Sequence, residues 1–439
     1  RHAPSLRCLR LHGLDRLRSL KGVELPPVVL TTYALLAREA ALFESVEWGY
    51  VVLDEAQKIK NPATKSARAA RRLRAAHRLA LTGTPVENRP MELWSVFEFL
   101  LPGYLGSART FRQYFEVPIA QRGEAHAAER LRRLVHPFKL RRCKAEVLKE
   151  LPPKVEDVRW CEMTAHQAAL YRATLRQRAD ALVERLQDRS RPIDYIHVFA
   201  VLTRLKRICD HPALVLSGPR ARALGSGKLT VFQELMEEAL EEGQKVVVFS
   251  QYLEMLDVIA AWLSRKGISY VQLRGSTRQR GKVIATFQCE PSCRVFLGSL
   301  LAGGLGIDLT AASVVIHYDR WWNAAREDQA TDRVHRIGQS RGVQVFKLVS
   351  KGTLEERIHR MIERKRAMMD ALVTSDAESL KAFKREELIG LLTAVPDATS
   401  PARMSVPFTP PQAALALSPV VALPGRPSRR RPRSLLPVA

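Results

Sequence analysis

Val51-Val52-Leu53-Asp54-Glu55-Ala56-Gln57 runs an apolar strand pattern directly into two adjacent carboxylates. Open α/β sheets bind their ligands at the carboxyl ends of strands, so this pair stands where chemistry is done. There Asp54 can hold Mg²⁺, and Glu55 can polarise a water for attack on a γ-phosphate. The next strand pattern ends in Leu81-Thr82-Gly83-Thr84-Pro85. Two hydroxyls around a glycine that admits close backbone approach make a suitable relay between a nucleotide and a second surface. Far downstream, Ala302-Gly303-Gly304-Leu305-Gly306-Ile307-Asp308-Leu309-Thr310 sets three glycines and an aspartate at a strand-to-helix transition. Amides exposed by glycine can cradle phosphate there. Asp328-Gln329-Ala330-Thr331-Asp332-Arg333-Val334-His335-Arg336-Ile337-Gly338-Gln339 follows on a helical pattern. Arg333 and Arg336 are three apart, a spacing that predicts one helical face, from which both can offset charge on a transferring phosphoryl group. Each stretch alone also reads as a strand-ending turn or a solvated pair of arginines. The ordered set does not.

The elements that must position these residues are legible as short apolar runs alternating with helical patterns, the mark of a parallel sheet flanked by helices. Val28–Thr32, Tyr50–Leu53 and Arg78–Leu81 read as strands of a first lobe over 1–145, with helices at Pro62–Ala75 and Met91–Leu101. Residues 146–224 read as a helical insertion with few strand signals, punctuated by Pro152-Pro153, and Phe199, Leu202, Leu205 and Ile208 form an apolar stripe expected in the core. A second α/β lobe is expected over 225–372, with strands at Val246–Phe249, Tyr270–Leu273, Val295–Leu297, Val314–His317 and Val343–Val349. Its last helix, Leu354–Leu372, puts Leu354, Ile358, Met361, Ile362 and Leu372 on one face, a docking stripe. A helical extension over 373–394 precedes 395–439, where ten prolines and the cluster Arg429–Arg431 predict disorder.

Composition narrows the class. The net charge is +25 and the pI about 10.3, which points to a polyanionic partner, since each neutralised phosphate releases counterions. Arg outnumbers Lys 52 to 18, and a GC-rich coding sequence would also produce that excess. The six cysteines stand at 8, 143, 161, 209, 289 and 293, without the paired clusters of a four-ligand zinc site, and read as thiols in a reducing compartment. No apolar run approaches the roughly 18 residues of a membrane span, and no export signal is visible.

The boxes D-E-A-Q, L-T-G-T-P-V-E-N, A-G-G-L-G-I-D-L-T and D-Q-A-T-D-R-V-H-R-I-G-Q, in that order, resemble the SWI/SNF-related branch of superfamily 2 helicase-type ATPases, most nearly its bacterial single-chain members. V-V-L-T-T-Y at 28–33, R-L-K-R-I-C-D-H-P at 204–212, S-G-K-L at 226–229, V-F-S-Q-Y at 248–252 and R-W-W-N at 320–323 extend the likeness over about residues 6–392. The resemblance implies two RecA-like lobes closing on ATP and Mg²⁺, with duplex DNA held across both. It assigns Asp54 to the metal, Glu55 to water activation, and Arg333 and Arg336 to arginine fingers. Gln57, Thr82, Gly83 and Thr84, with Gly304, Gly306, Asp308 and Gln329, fall on the nucleotide and coupling side. Thr31, Thr32, Ser250, Gln251, Ser299 and Gly303 fall where the family contacts the phosphate backbone, and Trp321 or Trp322 where it touches DNA. It further implies a translocase that shifts DNA-bound proteins, cytoplasmic and at the bacterial nucleoid. Arg274 stands before Gly275, where many relatives carry an acid.

The family's phosphate loop, G-x-x-x-x-G-K-[ST], is expected before D-E-A-Q and is not in the sequence. Gly227-Lys228 is followed by Leu229 and Gly281-Lys282 by Val283, so neither supplies the Mg²⁺ hydroxyl. Gly225-Ser226-Gly227-Lys228 imitates such a loop but falls on the non-catalytic S-G-K-L. The chain starts at Arg1, without methionine, and reads as an N-terminally truncated motor whose first sheet lacks its loop-bearing strand and exposes part of its core. The alternatives are a DNA-binding remnant that hydrolyses nothing and a strand-separating helicase.

Overall fold

The computed structural model describes residues 5–11, 25–83, 90–142, 144–190, 192–216, 218, 221, 224–299, 307–322, 324–368 and 385–393. The expectations for Thr84, Gly303, Gly304, Gly306, Leu372 and the 395–439 tail lie outside the described residues.

The first lobe carries two parallel strand pairs, β1 (Cys8–Arg10) with β2 (Val28–Leu30) and β3 (Glu47–Leu53) with β4 (Arg74–Ala80). The strand β1 was not foreseen; three residues carry no period. One side of these two strand pairs packs on Leu35, Leu36, Phe43, Ala67, Ala70, Val96 and Phe99 from the helices Tyr33–Arg38, Ala40–Glu44, Lys65–Arg72 and Pro90–Leu100. The other side presents apolar side chains that are exposed among the described residues. Tyr50, Val52 and Leu79 are 69%, 51% and 48% exposed, and they sit as the cross-strand pairs Tyr50–His77 and Val52–Leu79.

Six parallel strands build the second lobe. They are β5 (Lys154–Cys161), β6 (Val246–Ser250), β7 (Tyr270–Leu273), β8 (Val295–Ser299), β9 (Val314–His317) and β10 (Val343–Ser350), ordered β5-β10-β9-β6-β8-β7. Alternate residues feed two cores. Val247, Phe249, Phe296 and Val315 meet the helices Ala165–Arg178, Tyr195–Asp210 and Leu354–Met368, while Val246, Val248, Leu297 and Ile316 meet Gly227–Glu241 and Leu253–Arg265. Burial on both faces is why these strands read as unbroken apolar runs.

Two expectations are corrected. The segment 146–224 is not purely helical, because β5 within it pairs with β10 along its whole length. As an edge strand it carries Lys154, Glu156, Asp157 and Arg159, charges that suit an edge and mask the strand signal. In the Phe199 stripe, Leu202, Leu205 and Ile208 are fully buried but Phe199 is exposed, since a spacing of three drifts around a helix that turns every 3.6 residues.

Candidate nucleotide site between the lobes

The ladder of β3 continues past its end through Leu81 N–H to the Leu53 carbonyl and Ala56 N–H to the Leu81 carbonyl, both 2.8 Å. To make both bonds, the chain kinks at Glu55, which takes φ +52° and ψ +51°. It is the one non-glycine residue among those described in the left-handed region. Such backbone costs on the order of 1–3 kcal/mol and persists where surrounding contacts hold it. Here they hold the carboxylate too. Glu55 Oε2 accepts from Gln57 Nε2 at 2.5 Å, and Gln57 Oε1 accepts from the Thr82 hydroxyl at 2.9 Å. The Asp54 carboxylate is exposed and, among the described residues, accepts the Glu55 N–H at 3.0 Å, which leaves oxygen lone pairs for a hard cation. Tyr33, unforeseen from sequence, donates to the Asp54 carbonyl at 2.8 Å. Burial first, then the charges of Asp54 and Glu55, push its phenol pKa far above the ordinary value.

The second lobe answers from the helix Ala324–Thr331 and the turn after it. Gln329 Nε2 donates to Glu55 Oε1 at 3.0 Å, and Arg333 Nη2 lies 3.9 Å from the same oxygen. Arg336 goes elsewhere: its Nη1 donates to the Ile307 carbonyl at 3.4 Å. The expected shared helical face for Arg333 and Arg336 is therefore corrected. Past Thr331 the helix tightens into a turn, with Arg333 and Val334 N–H donating to carbonyls three residues back, Ala330 and Thr331, at 3.1 and 2.9 Å, and the Arg333 carbonyl accepts Leu309 N–H at 3.0 Å. Asp308 shapes the adjoining turn, accepting Thr310 N–H on its carboxylate at 3.2 Å and Gln288 Nε2 on its carbonyl at 2.9 Å. A second tie from outside the cleft was also missed. Lys144 Nζ meets Asp332 at 2.5 Å and the His335 carbonyl at 3.0 Å, and His335 Nε2 lies 2.8 Å from the Pro152 carbonyl.

The residues expected at the DNA backbone divide. Thr31 and Thr32 are exposed, and Thr32 caps Tyr33–Arg38 by accepting Leu35 N–H at 3.2 Å. Ser250 and Ser299 are buried. The Ser250 hydroxyl is bound to Asp319, whose carboxylate also accepts Gln251 Nε2 at 2.8 Å. The Ser250 hydroxyl is thus engaged inside the fold. Trp321 and Trp322 are 2% and 7% exposed and belong to the second-lobe core. Both indoles are enclosed in the fold, where an exposed ring was expected. The basic groups near them, Arg326 5.6 Å from the Trp321 ring and Lys206 5.1 Å from the Trp322 ring, are packed against the indoles. Arg274 is paired with Asp257. Lys228 of the loop imitation is fully buried against Asp210 at 2.8 Å and Glu355 at 2.7 Å, and reaches no cleft.

Comparison with known proteins agrees with the order of these elements. Residues 1–214 match the model of the SNF2-related domain and 227–338 that of the helicase conserved C-terminal domain. A Bacillus subtilis protein provisionally named ATP-dependent helicase/translocase YwqA is 40% identical over 373 residues, covering 83% of this chain and 40% of that protein. The human SWI/SNF-related matrix-associated actin-dependent regulator of chromatin subfamily A member 1 is 35% identical, covering 88% of this chain and 39% of that protein. The solved Sulfolobus solfataricus SWI2/SNF2 ATPase core in complex with dsDNA is 38% identical, with a TM-score of 0.47, over 89% of this chain and 82% of that one. The chain thus spans about two fifths of the length of these curated relatives.

Proposed function

We propose that this chain, which belongs to the SNF2-related family of superfamily 2 helicase-type ATPases, supplies both faces of an ATP-hydrolysing cleft in a motor that translocates along duplex DNA and shifts proteins bound to it. The observation that supports this most is the meeting of Glu55 from one lobe with Gln329 and Arg333 from the other, at 3.0 and 3.9 Å. In that reading Glu55 orients and polarises the attacking water, and Gln57 with Thr82 links its position to the end of β4. Arg333 offsets charge building on the γ-phosphoryl group. Arg336 joins it as a second finger only if its bond to the Ile307 carbonyl is released on closure. Mg²⁺ arriving with ATP supplies charge neutralisation, with Asp54 as its protein ligand. Duplex DNA is the partner that the +25 charge supports, and among the described residues Thr31 and Thr32 are exposed for contact with its backbone. Triphosphate binding needs a phosphate loop that these 439 residues do not contain, so they are expected to be inactive alone.

The test is DNA-stimulated ATPase activity with the chain alone and joined to a phosphate-loop segment. The joined protein is expected to turn over and to lose roughly 10²–10⁴-fold in rate on Glu55→Gln while still binding ATP. Glu55-independent turnover would sink the catalytic assignment, and robust Glu55-dependent hydrolysis by the chain alone would sink the account of the loop.

A further inference from the structure

The helix that carries Gln329 toward Glu55 has eight residues, too few to hold its own place in water. Something outside it must aim Gln329 and, just beyond its end, Arg333. Its inward stripe is Glu327, Ala330 and Thr331, all buried, while Gln329 and Arg333 face the cleft. Glu327 Oε1 accepts the Trp321 N–H at 2.6 Å, and Oε2 lies 3.3 Å from Arg320 Nη1, with both side chains fully buried. One turn on, the Thr331 hydroxyl and His317 Nε2 are 2.8 Å apart. Both ends of the stripe are therefore fastened to the end of β9 and the residues just after it. The Arg320 carbonyl is in turn held by Lys206 Nζ at 2.5 Å.

We propose that Glu327, paired with Arg320 and seconded by Thr331 with His317, is the positioning residue that sets Gln329 and Arg333 against Glu55. The proposal rests on the reading of the cleft as an ATPase site. The pair is poorly suited to be a stability device. Among the described residues, neither the three Arg320 guanidinium nitrogens nor Glu327 Oε2 has a hydrogen-bond partner, so the contact is an ion pair alone, and a buried ion pair left unsatisfied stabilises less than apolar packing would. What it fixes is direction. Burial alone would push the Glu327 carboxyl up, but Arg320 and then His317 hold it below the usual range, so the charge stays in place. Four residues at about 1.5 Å each separate Glu327 from Thr331 at the helix end, so a tilt of roughly 10° at the anchor moves that end, and with it the turn bearing Arg333, by about 1 Å. A displacement of that size costs up to about 10²-fold in rate.

The experiment uses the ATP-hydrolysing protein that joins this chain to a phosphate loop. Glu327→Gln keeps an acceptor for Trp321 N–H but leaves Arg320 without its counter-charge. With the fold intact by circular dichroism, kcat is expected to fall about 10- to 100-fold with KM for ATP unchanged, because Gln329 and Arg333 act on the transferring group. Adding Arg320→Met removes the stranded charge and is expected to return most of kcat, a rescue that a general loss of stability would not give. Normal kcat in folded Glu327→Gln, or no recovery in the double variant, overturns the proposal. Should Glu327→Gln not fold, Thr331→Val takes its place, and normal kcat there has the same meaning. Glu55→Gln run alongside separates the two readings: if it hydrolyses normally, the catalytic assignment has failed, whatever Glu327 does.

Discussion

Lys228 offers the sharpest test of how this sequence should be read, because Gly225-Ser226-Gly227-Lys228 looks like a phosphate loop and is built as a joint. Ser226 caps the helix Gly227–Glu241, and its hydroxyl donates to the Asp210 carbonyl at 2.7 Å. Gly227 N–H donates to Gln167 at 3.0 Å, and a Cβ at Gly227 would stand 1.6 Å from the Glu162 carbonyl oxygen, so no other residue fits. Lys228 then drives its ammonium between Asp210 and Glu355 with no exposed surface. Burial alone would lower its pKa, but the two carboxylates outweigh burial and raise it, keeping the group charged. Lys228→Met leaves both carboxylates buried without their cation. Breaking one such pair costs about 3–5 kcal/mol, and with two acids on one base the upper end is expected. At a urea m-value of roughly 2–3 kcal/mol/M, the unfolding midpoint should drop by about 1–2.5 M. Neutralising the acids as well, with Asp210→Asn and Glu355→Gln, should recover much of that loss. In the protein joined to a phosphate-loop segment, binding of a fluorescent ATP analogue by the folded fraction should match that of the joined parent. An unmoved midpoint together with lost nucleotide binding would make Lys228 a phosphate ligand and refute the joint.

Acid should weaken the second lobe in two steps. Burial, chiefly, holds His317 at about 4, among Glu327, Lys347, Arg320 and Glu156, so the unfolded chain takes up its proton first. Stability is then complete above about 6.5 and is lost as pH falls from there to about 4. Burial would raise Glu156, but the hydrogen bonds and charges of Lys154 and Lys347 win and hold it at about 2, so its contribution is present above 4.5 and lost as pH falls toward 2. Urea midpoints between pH 8 and 3 check both, and His317→Gln should flatten the upper step; a wild-type profile level down to pH 4 would contradict it. Binding to two unrelated duplexes should be nearly equal and fall steeply with salt, with a log–log slope of about −0.9 per phosphate neutralised; a flat salt response would count against duplex DNA.

What the sequence made legible follows from where each residue sits. The strands at 246–250, 295–299 and 314–317 are buried on both faces, and burial of that kind writes itself as an unbroken apolar run. The edge strand Lys154–Cys161 is not, because an edge is kept from aggregating by the same charges that hide it from a hydrophobicity pattern. The candidate site is legible in the same uneven way. An acid pair after a strand, and a glutamine and arginine four apart, state the residue types that phosphoryl chemistry needs. They do not state which atoms meet.

Which atoms meet is decided by a few backbone contacts that leave no trace in residue type. Past Thr331 the chain turns through bonds three residues back, and Arg336 goes to Ile307 while Arg333 stays at Glu55. One kink, the left-handed backbone of Glu55, turns its carboxylate into the path of Gln329. The tryptophans show the same limit from the other side. A W-W pair among Lys206, Arg320 and Arg326 has the composition of a DNA contact, yet both indoles are enclosed in the second-lobe core and the arginine between strand and helix turns inward to Glu327. Basic and aromatic residues near one another are as consistent with a buried anchor as with a surface. The deciding quantity is whether an acid lies within reach inside the fold, and here Glu327 does. That is why a residue with no part in the phosphoryl chemistry read from the motifs becomes the one on which the aim of Gln329 and Arg333 depends.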